Sequence, residues 1–311
     1  MSLDEYVKRL TSLRVGKVGT HERPHKPALL LALISLVESG ALRENRVQYE
    51  PELFALFRRY FDVARASDDA VNMLDPFWRL QTDGVLVHEA KAGYEKVVEC
   101  QTGAPSAGHL HDMTTGSCIP SELFDLLLEP ESRERLRLAI IERYFPALGM
   151  QILEVARQER AIGEYERVLE ERAGEQKDRA ATPEEAIRDQ AFRRVVRRAY
   201  DYRCAACGLR VMVDDVVLVD AAHLIPFAIT QDDDPRNGIA LCRNHHWAMD
   251  KQLLAPTTRL LWAVSPCLDD RIEGQCDLIG LRERAIILPK CSDFHPKKES
   301  LRWREKRLRA G

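Results

Sequence analysis

The sequence holds no apolar run near the roughly 18 residues that a membrane-spanning helix needs. Its first residues, Met1-Ser2-Leu3-Asp4-Glu5-Tyr6, lack the basic-then-apolar order of a secretory leader. A cytoplasmic protein without membrane association is therefore expected. There is almost no excess of charge of one sign: 46 Lys and Arg stand against 49 Asp and Glu, for a formal net charge of −3. Over the whole chain, that balance argues against a general nucleic-acid binder, which carries a basic surplus. No internal repeat is visible, which excludes a solenoid or propeller. Nor is the composition that of a disordered chain, since 45% of residues are hydrophobic and 31% are charged.

What the chain has is length and an uneven placement of cysteine. At 311 residues it is too long for one ordinary domain, and two are expected. Cys100, Cys118, Cys267, Cys276 and Cys291 stand apart, as small buried hydrophobes do. Cys204 and Cys207 instead form a C-x-x-C, with Cys242 further on. In a cytoplasmic chain these read as thiols or metal ligands rather than disulfides.

Residues 1–150 mix helical and strand patterns, so an α+β fold is expected. The apolar run Leu29–Val37 opens after Pro27 and stops before Gly40, the asymmetry of a buried helix. Leu53–Phe57 continues as an amphipathic helix. Val85–His88 and Lys96–Cys100 flank Ala92-Gly93-Tyr94 and are expected to pair as strands. Residues 103–116, rich in Gly, Ser, Thr and His, suggest an exposed loop, and 121–145 return to helix. Residues 151–187 carry six basic and ten acidic residues and read as a charged helical stretch ending at the helix-start signature Thr182-Pro183-Glu184-Glu185. The expected division is a first domain over 1–165, a helical linker over 166–187 and a second domain over 188–311.

The net charge is a sum of unlike parts. Residues 188–311 hold 22 basic and 17 acidic residues, a surplus of +5, while the stretch before them and residues 1–150 are each at −4. The second domain opens on a basic helix in which Arg193, Arg194, Arg197 and Arg198 recur at helical spacing, a pattern suited to tracking phosphates.

The most informative text runs from 202 to 251. Tyr202-Arg203-Cys204-Ala205-Ala206-Cys207-Gly208 is a knuckle-like turn. Leu218–Pro226 is an apolar strand that delivers His223. Asp234-Pro235-Arg236-Asn237-Gly238 turns into the short apolar segment ending at Cys242, and Arg243–Lys251 begins a helix carrying His245 and His246. In this order, D-A-A-H-L-I-P, N-G-I-A-L-C and H-H-x-x-x-D resemble the HNH endonuclease module, a ββα-metal fold that hydrolyses phosphodiesters.

That resemblance implies two metals. A structural Zn2+ asks for four tetrahedral N or S donors, and Cys204, Cys207, Cys242 and His245 form a Cys3His set. In the catalytic centre His223 is the implied general base, Asn237 fixes the loop and orients that base, and His246 binds one Mg2+ or Mn2+. Many family members carry a second metal ligand just before the base, where this chain has Ala222. Asp220, on the same strand face, is the expected substitute, with Asp250 in reserve. The tail, Leu301 to Arg307, suits either a DNA contact or closure of the module through Trp303.

In the first domain, Lys8 to Lys26 holds six basic residues against Glu22 alone, with His21 and His25 added. His25-Lys26-Pro27 leads into a Leu-rich helix, and Pro76-Phe77-Trp78-Arg79-Leu80 precedes Asp83-Gly84. Together these resemble the sulfur-binding domain of modification-dependent (type IV) restriction endonucleases, which read phosphorothioated DNA. Asp75 stands where the family has tyrosine. The resemblance implies DNA contacts from His25, Lys26, Pro27, Pro76, Phe77 and Arg79, and base-edge contacts from Ser106, His109 and His111.

The expected protein is thus a two-domain endonuclease acting on double-stranded, phosphorothioated DNA. One HNH site cuts one strand, so a double-strand break implies a homodimer or two binding events. Two alternatives stay open. One is an HNH enzyme that reads methylated or hydroxymethylated bases, which the sparse aromatics of residues 1–120 disfavour. The other is a non-catalytic, zinc-stabilised DNA-binding protein.

Overall fold

The computed structural model describes residues 1–101, 103–174, 184–272 and 274–310 and divides the chain into two compact units, Met1–Gly163 and Glu164–Gly311. Among the described residues no helix is long and apolar enough to cross a membrane.

The first unit is built around the helix His25–Ser39, whose residues from Leu29 to Ile34 are at most 2% exposed. A helix apolar on every side has to be surrounded. Pro51–Ala64, Leu74–Arg79, Ser121–Leu128 and Pro130–Tyr144 pack against it. Gly40 ends it with φ 74°, the left-handed cap that glycine adopts without a Cβ penalty. Leu3–Leu10 lies on Pro130–Tyr144 and begins in a capping box between Ser2 and Glu5. Val87–Ala90 pairs antiparallel with Thr114–Cys118 across the intervening helical segment.

Two local expectations are corrected here. Lys96–Cys100 is not a strand: Glu95–Cys100 is a short helix in which Val98 alone is buried, and the strand beginning at Val87 pairs with Thr114–Cys118 instead. The pair Val97-Val98 suggested a strand through its β-branching, but a single buried position fits one helix face. Residues 107–113, expected as loop, form the helix Ala107–Met113, with the Ser106 hydroxyl accepting from the His109 N–H at its start. The isolated cysteines also differ from expectation, since Cys100, Cys267, Cys276 and Cys291 are exposed and Cys118 half-buried.

In the second unit the helix Glu185–Ala199 lies across an antiparallel pair, Val219–His223 with Gly238–Cys242, and the helix Arg243–Asp250 follows directly. A second hairpin, Leu254–Pro256 with Trp262–Val264, is covered by Lys298–Glu305. The tail closes this unit through Leu301 and Arg304, both buried, rather than through Trp303. The charged stretch 166–187 is helical as far as Gly174, in the long helix Gly149–Gly174. Its signature residues Thr182 and Pro183 lie outside the described residues.

Candidate active site and metal centre

The knuckle is assembled by backbone bonds before any ligand is considered. Gly208 N–H donates to Cys204 C=O at 2.8 Å, Cys204 N–H to Leu209 C=O at 2.9 Å, and Ala205 N–H to Ala240 C=O at 2.8 Å. The last bond fixes the turn to the strand that ends at Cys242. Cys242 is the N-cap of the following helix, so His245 falls in its first turn and faces back toward the thiols. The ligand atoms of Cys204, Cys207, Cys242 and His245 all lie within 4.8 Å of one another. His245 Nδ1 is 3.0 Å from Cys242 Sγ and 3.5 Å from Cys204 Sγ.

The electrostatics of this cluster favour a cation. Burial opposes ionisation of Cys204, but bonds from His245 and from neighbouring backbone N–H groups outweigh it and bring the thiol down to about 6. Burial pushes Cys207 up to about 12 and also raises Cys242, with the Cys204 thiolate adding to both. One dication removes the conflict by stabilising all three thiolates together. The donor set therefore fits a metal ion.

His223 ends its strand opposite Gly238. Its ring lies flat on Phe192, with centroids 3.9 Å apart and planes 5° from parallel, and its Nε2 is 3.1 Å from Asp233 Oδ1. Gly238 is not a turn glycine here, since its backbone is extended. A Cβ at that position would come within 2.5 Å of Val196 and 2.9 Å of Phe192, so glycine is needed to let the Glu185–Ala199 helix approach.

Asn237 is fully buried and bonded across its loop. Its Oδ1 accepts from Ile225 N–H at 3.0 Å, and its Nδ2 donates to Ile225 C=O at 2.9 Å and Asp232 C=O at 3.1 Å. The imidazole's partner is Asp233, however, a residue that no local motif marks.

His246 is half-exposed, with Nε2 3.5 Å from Asp250 Oδ2 one turn along the helix. Asp220 is ion-paired with Arg197. Arg304 ties these parts together: it donates to the C=O of His223 at 3.0 Å and of Met249 at 3.3 Å, and sits 3.5 Å from Asp250.

The basic helix is less free than its sequence suggested. Arg194 and Arg198 reach Glu166, Arg198 also reaches Glu170, and Arg197 holds Asp220. Arg193 is half-exposed and pairs with Asp189 within its own helix. The expected phosphate-tracking stripe is therefore largely neutralised within the unit.

In the first unit a cavity of about 520 Å³ brings together His25, Lys26, Pro76 and Arg79. Arg14, Lys17 and Arg23 also line it, three residues whose signal was the local charge count rather than any motif. His25 Nε2 donates to Ala70 C=O at 2.9 Å, and the ring meets Phe61 edge-on. Behind the cavity, Asp69 is held by His21 at 2.8 Å and by the Ala66 N–H at 3.0 Å. Burial alone would raise its pKa, but these bonds prevail and keep it below the usual carboxylate range.

Six residues expected at a DNA surface have other surroundings. Lys26 is buried against Asp83 at 2.5 Å, although its side chain still borders the cavity. Pro27 is buried in the first turn of its helix. Phe77 is a core residue, 1% exposed and packed on Tyr49 and His88. Ser106 serves as a helix cap, while His109 and His111 are exposed on that helix and do not line the cavity.

Comparison with known proteins follows the same division. Residues 3–157 match the family model of the ScoMcrA-like DNA sulfur-binding domain, and residues 204–255 match that of the HNH endonuclease. Among solved structures the chain is similar to the modification-dependent TagI restriction endonuclease, at 20% identity over 38% of this chain and 37% of that one, with a TM-score of 0.29. It thus spans well under half of that relative's length. It is also similar to the sulfur-binding domain of ScoMcrA complexed with phosphorothioated DNA, at 21% identity over 48% and 93% of the two chains, TM-score 0.36. A further similarity is to the type IV phosphorothioation-dependent restriction endonuclease ScoMcrA, at 12% identity over 98% and 99%, TM-score 0.34. No curated protein gives a match.

Proposed function

Because the chain carries a DNA sulfur-binding domain ahead of an HNH endonuclease domain, we propose that it cleaves DNA in response to phosphorothioate modification. The first unit reads the mark and the second hydrolyses the phosphodiester. The observation that carries this reading is the cavity in which Pro76 sits among His25, Lys26, Arg79, Arg14, Lys17 and Arg23. A non-bridging sulfur is larger, softer and more weakly hydrated than oxygen, so an apolar proline surface favours it. The surrounding cations, of which Lys17, Arg23, Lys26 and Arg79 also hold Glu22, Asp69, Asp83 and Asp75, balance the backbone charge without reading sequence.

In the second unit, Cys204, Cys207, Cys242 and His245 are assigned to a structural Zn2+. His246 and Asp250 are assigned to a catalytic Mg2+ or Mn2+. Asp220 would first have to leave Arg197, whereas Asp250 already lies beside His246. Both residues of that pair are partly exposed, which leaves room for substrate oxygens. When bound, this ion stabilises the negative charge that builds on the phosphate and on the leaving 3′ oxygen. His223 accepts a proton from the attacking water as the new P–O bond forms and the bond to the 3′ oxygen breaks; solvent then protonates that oxygen.

Binding of one duplex in unmodified, base-methylated and phosphorothioated form tests the reader. Preference for the phosphorothioate by about 10- to 200-fold is expected for a one-atom difference in a fitted site. Equal affinity for all three removes the proposal, and preference for the methylated duplex replaces the mark.

A further inference from the structure

Three consecutive carboxylates, Asp232, Asp233 and Asp234, precede the turn that carries Asn237. Asp232 is 3.1 Å and Asp234 2.8 Å from Lys297, and Asp234 also pairs with Arg236 at 2.7 Å. Asp233 behaves differently. It is 1% exposed, Arg188 Nη1 donates to its two oxygens at 2.7 and 2.8 Å, and its Oδ1 is the atom 3.1 Å from His223 Nε2.

The surroundings hold this arrangement rigid. Phe192 lies flat against one face of the imidazole. Arg188 is itself buried, and its guanidinium stacks 3.6 Å above the Phe227 ring, which in turn stands 6.1 Å from His223. Carboxylate, guanidinium and imidazole therefore have little freedom to exchange partners. A buried ion pair of this kind is weak evidence of a stabilising role, because apolar residues of similar volume often do as well or better. Its place beside the histidine points to another role.

We infer that Asp233 is a positioning residue for the cleavage reaction: held by Arg188, it fixes the His223 imidazole with its proton on Nε2 and leaves Nδ1 as the atom that takes a proton from water. This inference rests on the reading of His223 as the base. The carboxylate accepts from Nε2–H, so the ring cannot rotate without breaking that bond. Once Nδ1 is protonated, the same carboxylate faces an imidazolium and stabilises it. Among the described residues no hydrogen bond is formed by Nδ1, and the side chain keeps 17% of its surface open. The residue that orients the base is thus the acid of the preceding loop, while Asn237 holds the backbone of that loop.

The test uses the full chain with zinc bound and a phosphorothioated duplex. Asp233→Asn should lower the single-turnover cleavage rate constant by about 100-fold, with DNA affinity and zinc content unchanged. A purely structural role would lower the active fraction instead of the rate constant. Nitrogen-15 NMR of the wild-type protein, with the His223 signal assigned by its loss in His223→Ala, provides a readout independent of any Asp233 variant. A slowly exchanging proton on Nε2 is expected. Wild-type rates in Asp233→Asn, or a proton found on Nδ1, overturn the role of Asp233 while loss of cleavage in His223→Ala keeps the base reading. If His223→Ala still cleaves, the base reading itself falls and this inference with it.

Discussion

Phe192 lies face to face with His223, and the same ring rests over Gly238, the residue opposite His223 in the strand pair. One helix thus sets the plane of the imidazole because one position of the neighbouring strand lacks a side chain. Gly238→Ala would press a methyl group into Val196 and Phe192, at an expected cost of about 1–3 kcal/mol. Phe192→Ala leaves a cavity worth about 3–5 kcal/mol. Thermal unfolding and single-turnover cleavage, measured on both variants, should fall together. Full cleavage by folded Phe192→Ala would show that the stack does not hold the ring.

The adjacent histidines 245 and 246 should separate by chemistry. His245→Ala loses the metal of the Cys3His cluster and destabilises the second unit, since the knuckle bonds directly to the strand before it. His246→Ala keeps that metal and loses cleavage. Metal analysis beside a cleavage assay distinguishes them, and zinc retained in His245→Ala would refute the ligand set. Chelation of the wild-type protein should likewise abolish cleavage while the first unit still binds its DNA.

Lys26 and Arg79 border one cavity but differ in burial. Side-chain exposures of 11% for Lys26 and 7% for Asp83 mark a buried pair, so Asp83→Ala should cost about 3–5 kcal/mol by stranding the ammonium. Arg79, 48% exposed and bonded to Asp75, should leave stability unchanged when replaced by alanine. It should instead weaken DNA binding and reduce the slope of log Kd against log salt by about 1. Denaturant unfolding and binding titrations at several salt concentrations check both halves.

How far these sites were legible in the sequence depended on the kind of interaction involved. The clustering of Cys204, Cys207, Cys242 and His245 was legible because a set able to hold a metal fixes residue type and spacing together. The central helix was readable because Leu29 to Val37 is apolar on all sides and Gly40 follows. Asp233 was not, because nothing local distinguishes it from Asp232 and Asp234; its partners Arg188 and His223 are set by tertiary packing. Phe77 was not legible for a similar reason: an aromatic beside Pro76 and Arg79 suits a binding surface and a core equally, and only its tertiary neighbours Tyr49 and His88 place it in the core. The arginines of the Glu185–Ala199 helix looked free because their partners, Glu166 and Glu170, lie in the stretch assigned to a linker.

His88 gives the first unit a pH dependence. Its Nε2 donates to Trp78 C=O at 3.1 Å and its Nδ1 accepts from Ser117 at 2.7 Å, a neutral ring stacked on Trp78. Burial lowers its pKa from the ordinary 6.5, with the Trp78 bond opposing more weakly. Below 6.5 the unfolded chain takes up a proton that the folded one resists. Stability is thus full above that value and declines as pH falls through it toward the folded pKa. Thermal unfolding from pH 7.5 down to about 5 should show this loss, and His88→Gln should flatten it. A profile identical in the two proteins would remove His88 as the cause.

The most direct measurement compares cleavage of one duplex sequence with and without a phosphorothioate by the full chain loaded with zinc and Mg2+ or Mn2+, alongside His223→Ala. Rapid cutting of the modified duplex, little or none of the unmodified one, and none of either by His223→Ala is the expected result. Equal cutting of both duplexes would contradict the reader assigned to the first unit, and cutting by His223→Ala would contradict the active site assigned to the second.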